Sequence, residues 1–285
     1  MRWRGGRSGG GVEDRRGMSG GALAAGGGGI AIIVAIAAYF LGIDPNVASG
    51  IANQIAGGGA TQREGTFGTP GDEEGLFVDK ISANINDVWA AQFGDTYTPP
   101  VSIVIYEGGT GTACGYGQAA MGPFYCPSDR KVYLDLSFWR QMEDLGAGSA
   151  ESARAYVLAH EIGHHIQVLT GASQQVQQAQ RSMSQEEGNR YSVALELQAD
   201  CYAGVWAANA PVVSNGEVAF EPGDLEAGLK AANAIGDDTL QRRQGGRVVP
   251  EAFTHGSSAQ RMEWLRRGYQ TGDPRVCDGT FDGLR

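Results

Sequence analysis

His160-Glu161-Ile162-Gly163-His164 places two imidazoles four residues apart, with a carboxylate directly after the first. On a helix, four residues make a little over one turn, so both rings leave from one face. Two neutral imidazoles so placed can share one zinc ion. The Glu161 carboxylate is then close enough to take a proton from a zinc-bound water. The chain has four histidines, and this pattern uses two of them. A helix with two hydrogen-bonded core histidines is the plainer alternative.

A catalytic zinc takes three protein ligands and leaves a further position for water. His165 follows His164 directly and points about a quarter-turn away, so it reads as a packing or supporting residue. The third ligand is expected from Glu196-Leu197-Gln198-Ala199-Asp200, where two carboxylates share a helix face among Leu195, Leu197, Ala199 and Val205. Apolar surroundings do not hold carboxylates without a strong partner. Glu196 is the expected ligand. Asp200 is expected to bond the far nitrogen of a ligand histidine, His160 first, and so fix its tautomer. Two solvated surface acids are the alternative.

These residues need helices to position them. Ser149 as N-cap, Glu151 in the first turn, and Ala155, Val157, Leu158, Ile162, Ile166 and Leu169 at helical spacing predict a helix over 149–170, closed by Gly171. A second helix is predicted over 189–209. Phe77 to Trp89 reads as a first amphipathic helix, 101–106 and 131–136 as strands, and 137–145 as helix. Further helices are expected from Pro222 and from Ser257 or Ser258. The domain is therefore α+β, mainly helical with a small sheet.

In this combination the chain resembles the neutral zinc metallopeptidases of bacteria, a family anchored by one N-terminal membrane segment. The matching stretches are Met1 to Gly5, Val12 to Gly17, Ala159 to His165, Glu196 to Gly204 and Phe253 to Arg261. The resemblance implies a zincin-like fold, one Zn2+ per chain with His160, His164 and Glu196 as ligands, and Glu161 as the base in peptide-bond hydrolysis. An oxyanion donor is also expected. His255 is the candidate by elimination; capping or packing the helix that follows it is the equal alternative. Tyr191 and Tyr202 are further candidates. Val132 to Leu136 is the candidate edge strand for holding an extended peptide, with an ordinary interior strand as the alternative. A zincin-like binding or scaffold domain without turnover is the competing reading, against which the intact Glu161 argues.

Residues 1–19 carry five arginines against Glu13 and Asp14, a net charge of +3, and residues 20–43 carry no charge. Those 24 uncharged residues span about 36 Å as a helix, enough for a bilayer core. The expectation is a basic cytoplasmic tail over 1–19, a transmembrane signal anchor over 20–43, a flexible linker over 44–75 and an exported metallopeptidase domain over 76–285. The domain would then lie on the periplasmic or extracellular side of the bacterial cytoplasmic membrane. A cleaved signal peptide is the alternative.

Four cysteines suit an exported domain and can pair in three ways. Cys114 and Cys126 flank a Gly-rich loop and are paired here as its staple. Cys201 and Cys277 would then tie the C-terminal segment to the helix of Glu196. The chain carries −10 overall and −13 beyond residue 19, so nucleic acid and anionic lipid headgroups are poor partners. A peptide or protein substrate is the expected partner. The Gln-rich stretch 174–185 either gates the cleft or is an exposed, solvated helix.

Overall fold

The computed structural model describes residues 1–17, 64–118, 122–243 and 245–284. It is mainly helical, with a five-stranded mixed sheet and a two-stranded hairpin, an α+β arrangement. The expected membrane span, 20–43, lies outside the described residues. Among the described residues no helix is long and apolar enough to cross a membrane.

The strands are β1 (Val12–Asp14), β2 (Thr66–Gly68), β3 (Ser102–Tyr106), β4 (Gly109–Thr112), β5 (Gly115–Gln118), β6 (Phe124–Cys126) and β7 (Lys131–Asp135). β4 and β5 form the hairpin, and the sheet runs β2-β1-β3-β7-β6. β1, β3 and β7 are parallel, and the edges β2 and β6 are antiparallel to their neighbours. Strands covered on both faces read as continuous apolar runs. Ile103 to Tyr106 and Val132 to Leu134 are such runs, buried throughout. Alternation sends Val12, Ile103, Ile105, Val132 and Leu134 into the main core, and Val104, Tyr106 and Tyr133 into a smaller cluster on the opposite face.

The expected domain division is corrected at its N-terminal end. Residues 1–17 are part of the domain rather than a separate tail. Val12 and Glu13 are fully buried, and Trp3 packs edge-on to Phe77 in the main core. The Glu13 carboxylate accepts hydrogen bonds from Arg15, Lys131, Ser102 and the Gly65 amide. The arginines that read as a cytoplasmic tail are paired with carboxylates of the same fold: Arg7 with Asp87, Arg15 with Glu13, Arg16 with Asp14 and Asp72. β1 sits between β2 and β3, so the N-terminal segment and the strands after residue 64 share one sheet. The expected linker also ends early, since β2 pairs with β1 and Asp72 caps the next helix through the Gly75 amide.

The expected edge strand is corrected as well. β7 lies between β3 and β6, and the edge on that side is β6. A three-residue strand inside a Cys- and Gly-rich loop gives little periodic signal, which is why β7 reads as the last strand.

The helices are α1 (Glu73–Phe93), α2 (Phe138–Asp144), α3 (Glu151–Thr170), α4 (Ala172–Gln180), α5 (Gln185–Val213), α6 (Asp224–Ala234), α7 (Asp237–Arg243) and α8 (Ser258–Thr271). α3 is the predicted histidine helix. It starts later than predicted, with Ala150 rather than Ser149 at the N-cap, and Gly171 closes it at φ 81°. α5 is longer than predicted at both ends, and Ser184 and Glu187 form a capping box at its start. α4 covers most of the Gln-rich stretch. It is largely exposed, with Val176 as its buried contact, which fits the solvated-helix alternative.

Two close approaches bring the functional helices together. A Cβ on Gly163 would press on the Ala199 backbone at 3.1 Å, so α3 meets α5 in near backbone contact. A Cβ on Gly204 or Gly268 would collide with backbone of the facing helix, so α5 and α8 are equally close. Larger residues would push these helices apart.

Candidate metal centre

His160 and His164 lie one turn apart on α3 and face Glu196 on α5. His160 Nε2 is 3.2 Å from Glu196 Oε2, and His164 Nε2 is 3.5 Å from Glu196 Oε1. One donor atom from each of the three residues falls within 4.8 Å of the others. Zinc bonds near 2.0–2.1 Å in tetrahedral geometry separate neighbouring donor atoms by about 3.3 Å. The donor set, two imidazoles and a carboxylate, and its spacing therefore fit zinc.

The field at the site favours a cation. Desolvation works against charge on His160, yet Asp200 and Glu196 outweigh it and raise the His160 pKa to about 10. Burial likewise opposes charge on Glu196, but His164, His160 and His255 hold it ionised, well below the usual carboxylate range. The same charges that favour a proton between His160 and Glu196 favour a divalent metal there.

Behind His160 the expected partner is present, within a larger network. His160 Nδ1 donates to Asp200 Oδ1 at 2.8 Å, which leaves Nε2 free to face the metal position. Asp200 Oδ1 also accepts from the Tyr156 hydroxyl at 2.6 Å, and Arg261 on α8 binds both Asp200 oxygens. Burial raises the Asp200 pKa, but Arg261 and His160 lower it more, to about 2. Asp200 is thus a fixed anion.

Glu161 is 8% exposed, and its carboxylate makes no hydrogen bond among the described residues. Burial raises its pKa above the ordinary value, against the pull of His164 and His160. A carboxylate so placed is free to exchange a proton with a neighbouring water.

His255 lies in the turn before α8. Next to it, Gly256 packs on Val193 and Leu197 of α5, beside Glu196. Its Nδ1 is 3.2 Å from Asp237 Oδ1, while Asp237 Oδ2 accepts the backbone amides of Thr254, His255 and Gly256. The ring is 40% exposed and its Nε2 is unbonded among the described residues. Desolvation opposes its charged form, but Asp237 and the field of Glu196 raise its pKa.

Other candidates lie elsewhere. His165 is buried; its Nε2 donates to the Thr98 carbonyl and its Nδ1 accepts from the Tyr125 hydroxyl of β6, so it ties α3 to the sheet edge. Burial lowers its pKa and keeps it neutral. Tyr191 bonds the Leu284 carbonyl and Tyr202 packs on Trp89. Both line a cavity of about 470 Å³ together with Phe93, Gln198 and Phe281, and none of His160, Glu161, His164 or Glu196 lines it. Both disulfides have the expected partners, Cys114–Cys126 and Cys201–Cys277.

Arg261, Tyr156, Asp237 and Gln167 escaped sequence reasoning. Arg261 lies far from Asp200 in the chain, and only the close approach of α5 and α8 pairs them. A signal for Gln167 was present: it follows His164 by three residues on the same helix and accepts from His164 Nδ1 at 3.0 Å.

The chain belongs to a known family. The family described as "Putative neutral zinc metallopeptidase" matches residues 1–281. The YpfJ protein of Escherichia coli (strain K12) is 44% identical over 292 aligned residues, covering 98% of each chain. The Mb2605 protein of Mycobacterium bovis is 43% identical over 189 residues, 64% of this chain and 62% of that one. No solved structure matches the chain.

Proposed function

We propose that this chain, which belongs to the neutral zinc metallopeptidase family, is an endopeptidase using one zinc ion per chain. The observation that carries the reading is the convergence of His160, His164 and Glu196 beside a buried, unbonded Glu161. Zinc held by these three residues supplies a Lewis acid that brings the pKa of water toward neutrality and polarises a carbonyl. Glu161 takes the proton of the attacking water and passes it to the leaving amine. His255, oriented by Asp237, donates from Nε2 to the developing oxyanion. β6, antiparallel at the sheet edge and tied to α3 through Tyr125 and His165, offers backbone groups to an extended peptide. A zincin-like architecture is part of this reading.

The two disulfides support an oxidising, extracytoplasmic location. Membrane attachment through residues 20–43 stays in the proposal.

The test uses the full chain: measure bound zinc, then compare cleavage of casein and a peptide library by wild type and Glu161→Gln. One zinc in both proteins, with cleavage only in wild type, is expected. Zinc without Glu161-dependent cleavage of any substrate supports a binding domain instead, and a wild-type chain that takes up no zinc refutes the reading.

A further inference from the structure

His164 Nδ1 faces Gln167 Oε1 at 3.0 Å. The amide nitrogen of the same side chain donates to the Leu195 carbonyl at 2.6 Å and to Gln198 Oε1 at 3.1 Å. Gln198 Nε2 in turn donates to Asp278 Oδ1 at 3.2 Å. Gln167 and Gln198 are each 1% exposed, so the bond between them is closed to water, while Asp278 at the end of the series is exposed beside the cavity that Gln198 lines. Asp278 follows Cys277, which the disulfide holds to Cys201 on α5.

The direction of each bond follows from this chain of partners. Asp278 accepts, so Gln198 must present its nitrogen to it and its oxygen to Gln167. Gln167 has an acceptor at Leu195 and another at Gln198, and both amide hydrogens are used there. Its oxygen is left for His164, whose Nδ1 must therefore carry the hydrogen. That leaves the His164 Nε2 lone pair directed at the metal position. The Leu195 carbonyl belongs to the peptide bond that leads into Glu196. Gln167 therefore grips one ligand through its ring and the other through its backbone.

We propose that Gln167 is the positioning residue of the metal centre: it sets the His164 tautomer and locks the ligand helices α3 and α5 in register, with Gln198 and Asp278 fixing its own orientation from the disulfide-held C-terminal segment. This rests on the zinc reading above. Loss of such a partner typically costs about ten- to a hundredfold in metal affinity. No sequence motif for two or three ligands supplies this coupling, since it depends on amide orientations propagated from Asp278.

The experiment has two arms on the full chain. The first is the imidazole ¹⁵N spectrum of histidine-labelled protein stripped with chelator, which four histidines keep readable. Wild type is expected to show His164 with hydrogen on Nδ1, and Gln167→Met to lose that preference. The second is zinc affinity by chelator competition, with a loss of about ten- to a hundredfold in Gln167→Met and a smaller loss in Gln198→Met. If Gln167→Met does not fold by circular dichroism, Gln198→Met carries both arms. An unchanged His164 tautomer and unchanged zinc affinity in a folded variant overturns the proposal. A wild type that binds no zinc refutes the metal reading, while the tautomer arm still decides the role of Gln167.

Discussion

Arg261 closes on Asp200 through two hydrogen bonds, Nε to Oδ2 at 2.8 Å and Nη2 to Oδ1 at 2.9 Å, and both side chains are buried. Asp200 thereby holds Arg261 on one side and His160 on the other, so His160 on α3 is fixed by a residue of α8. The close approach of Gly204 and Gly268 makes this reach possible.

Removing Arg261 leaves the Asp200 charge buried with less compensation. Breaking a buried pair on one side costs about 3–5 kcal/mol. Arg261→Met is expected to lower unfolding stability by that amount in urea. Asp200→Asn with Arg261→Met is expected to recover part of the loss, because neither charge is then stranded. A single-variant loss below about 1 kcal/mol, the range of exposed pairs, contradicts this account.

The N-terminal segment gives a second prediction. Trp3 and Val12 are buried, and side chains of this kind contribute about 1.5–3 kcal/mol each when fully buried. β1 also supplies hydrogen bonds to both β2 and β3. A chain lacking residues 1–17, or a fragment starting at Leu76, is expected to be insoluble or unfolded. Cysteines placed at Ser8 and Ser182 in membrane-bound protein should react with an impermeant maleimide from the same side. Labelling from opposite sides would falsify the sheet described here.

Acid should loosen the same segment. Hydrogen bonds from Arg16 lower the pKa of Asp14 and of Asp72 against the effect of burial. A carboxylate depressed in the folded state adds stability above its unfolded pKa, about 3.8 for Asp, and loses it as pH falls through the folded value. Arg16→Gln should therefore unfold at lower urea than wild type at pH 6, with the gap narrowing below about pH 4. A gap that stays constant down to pH 2 rules out this linkage.

Helical periodicity made the site helices legible in the sequence, and apolar runs did the same for β3 and β7. His160, His164, Glu196 and Asp200 each lie on a long helix whose spacing fixes the face they share, so their convergence followed once two such faces were matched. β1 and β6 are three residues long and give no periodic signal. Val12, Glu13 and Arg15 read as a basic tail because a buried Glu13 with Arg15 and Lys131 looks, along the chain, like solvated charge. Arg261 and Asp237 depend on how α8 and α7 pack, which no local pattern encodes.

His255 is where sequence alone left two readings level, and the geometry separates them into a measurable form. Asp237 and the Thr254 hydroxyl face His255 Nδ1, and Asp237 accepts three consecutive backbone amides, so the ring is held with Nε2 unbonded among the described residues. A helix-capping role would not need a free Nε2; the cap of α8 is already made by Ser257 with Gln260. Loss of one oxyanion donor typically costs about 10²–10³ in kcat. His255→Gln should therefore lower kcat by that factor with KM and zinc content near wild type. Asp237→Asn should fall short of this effect, because the amide still accepts from the ring but no longer stabilises its charged form. If His255→Gln keeps kcat within about threefold of wild type, the interaction is not made in the transition state, and His255 is a packing residue of the α8 turn.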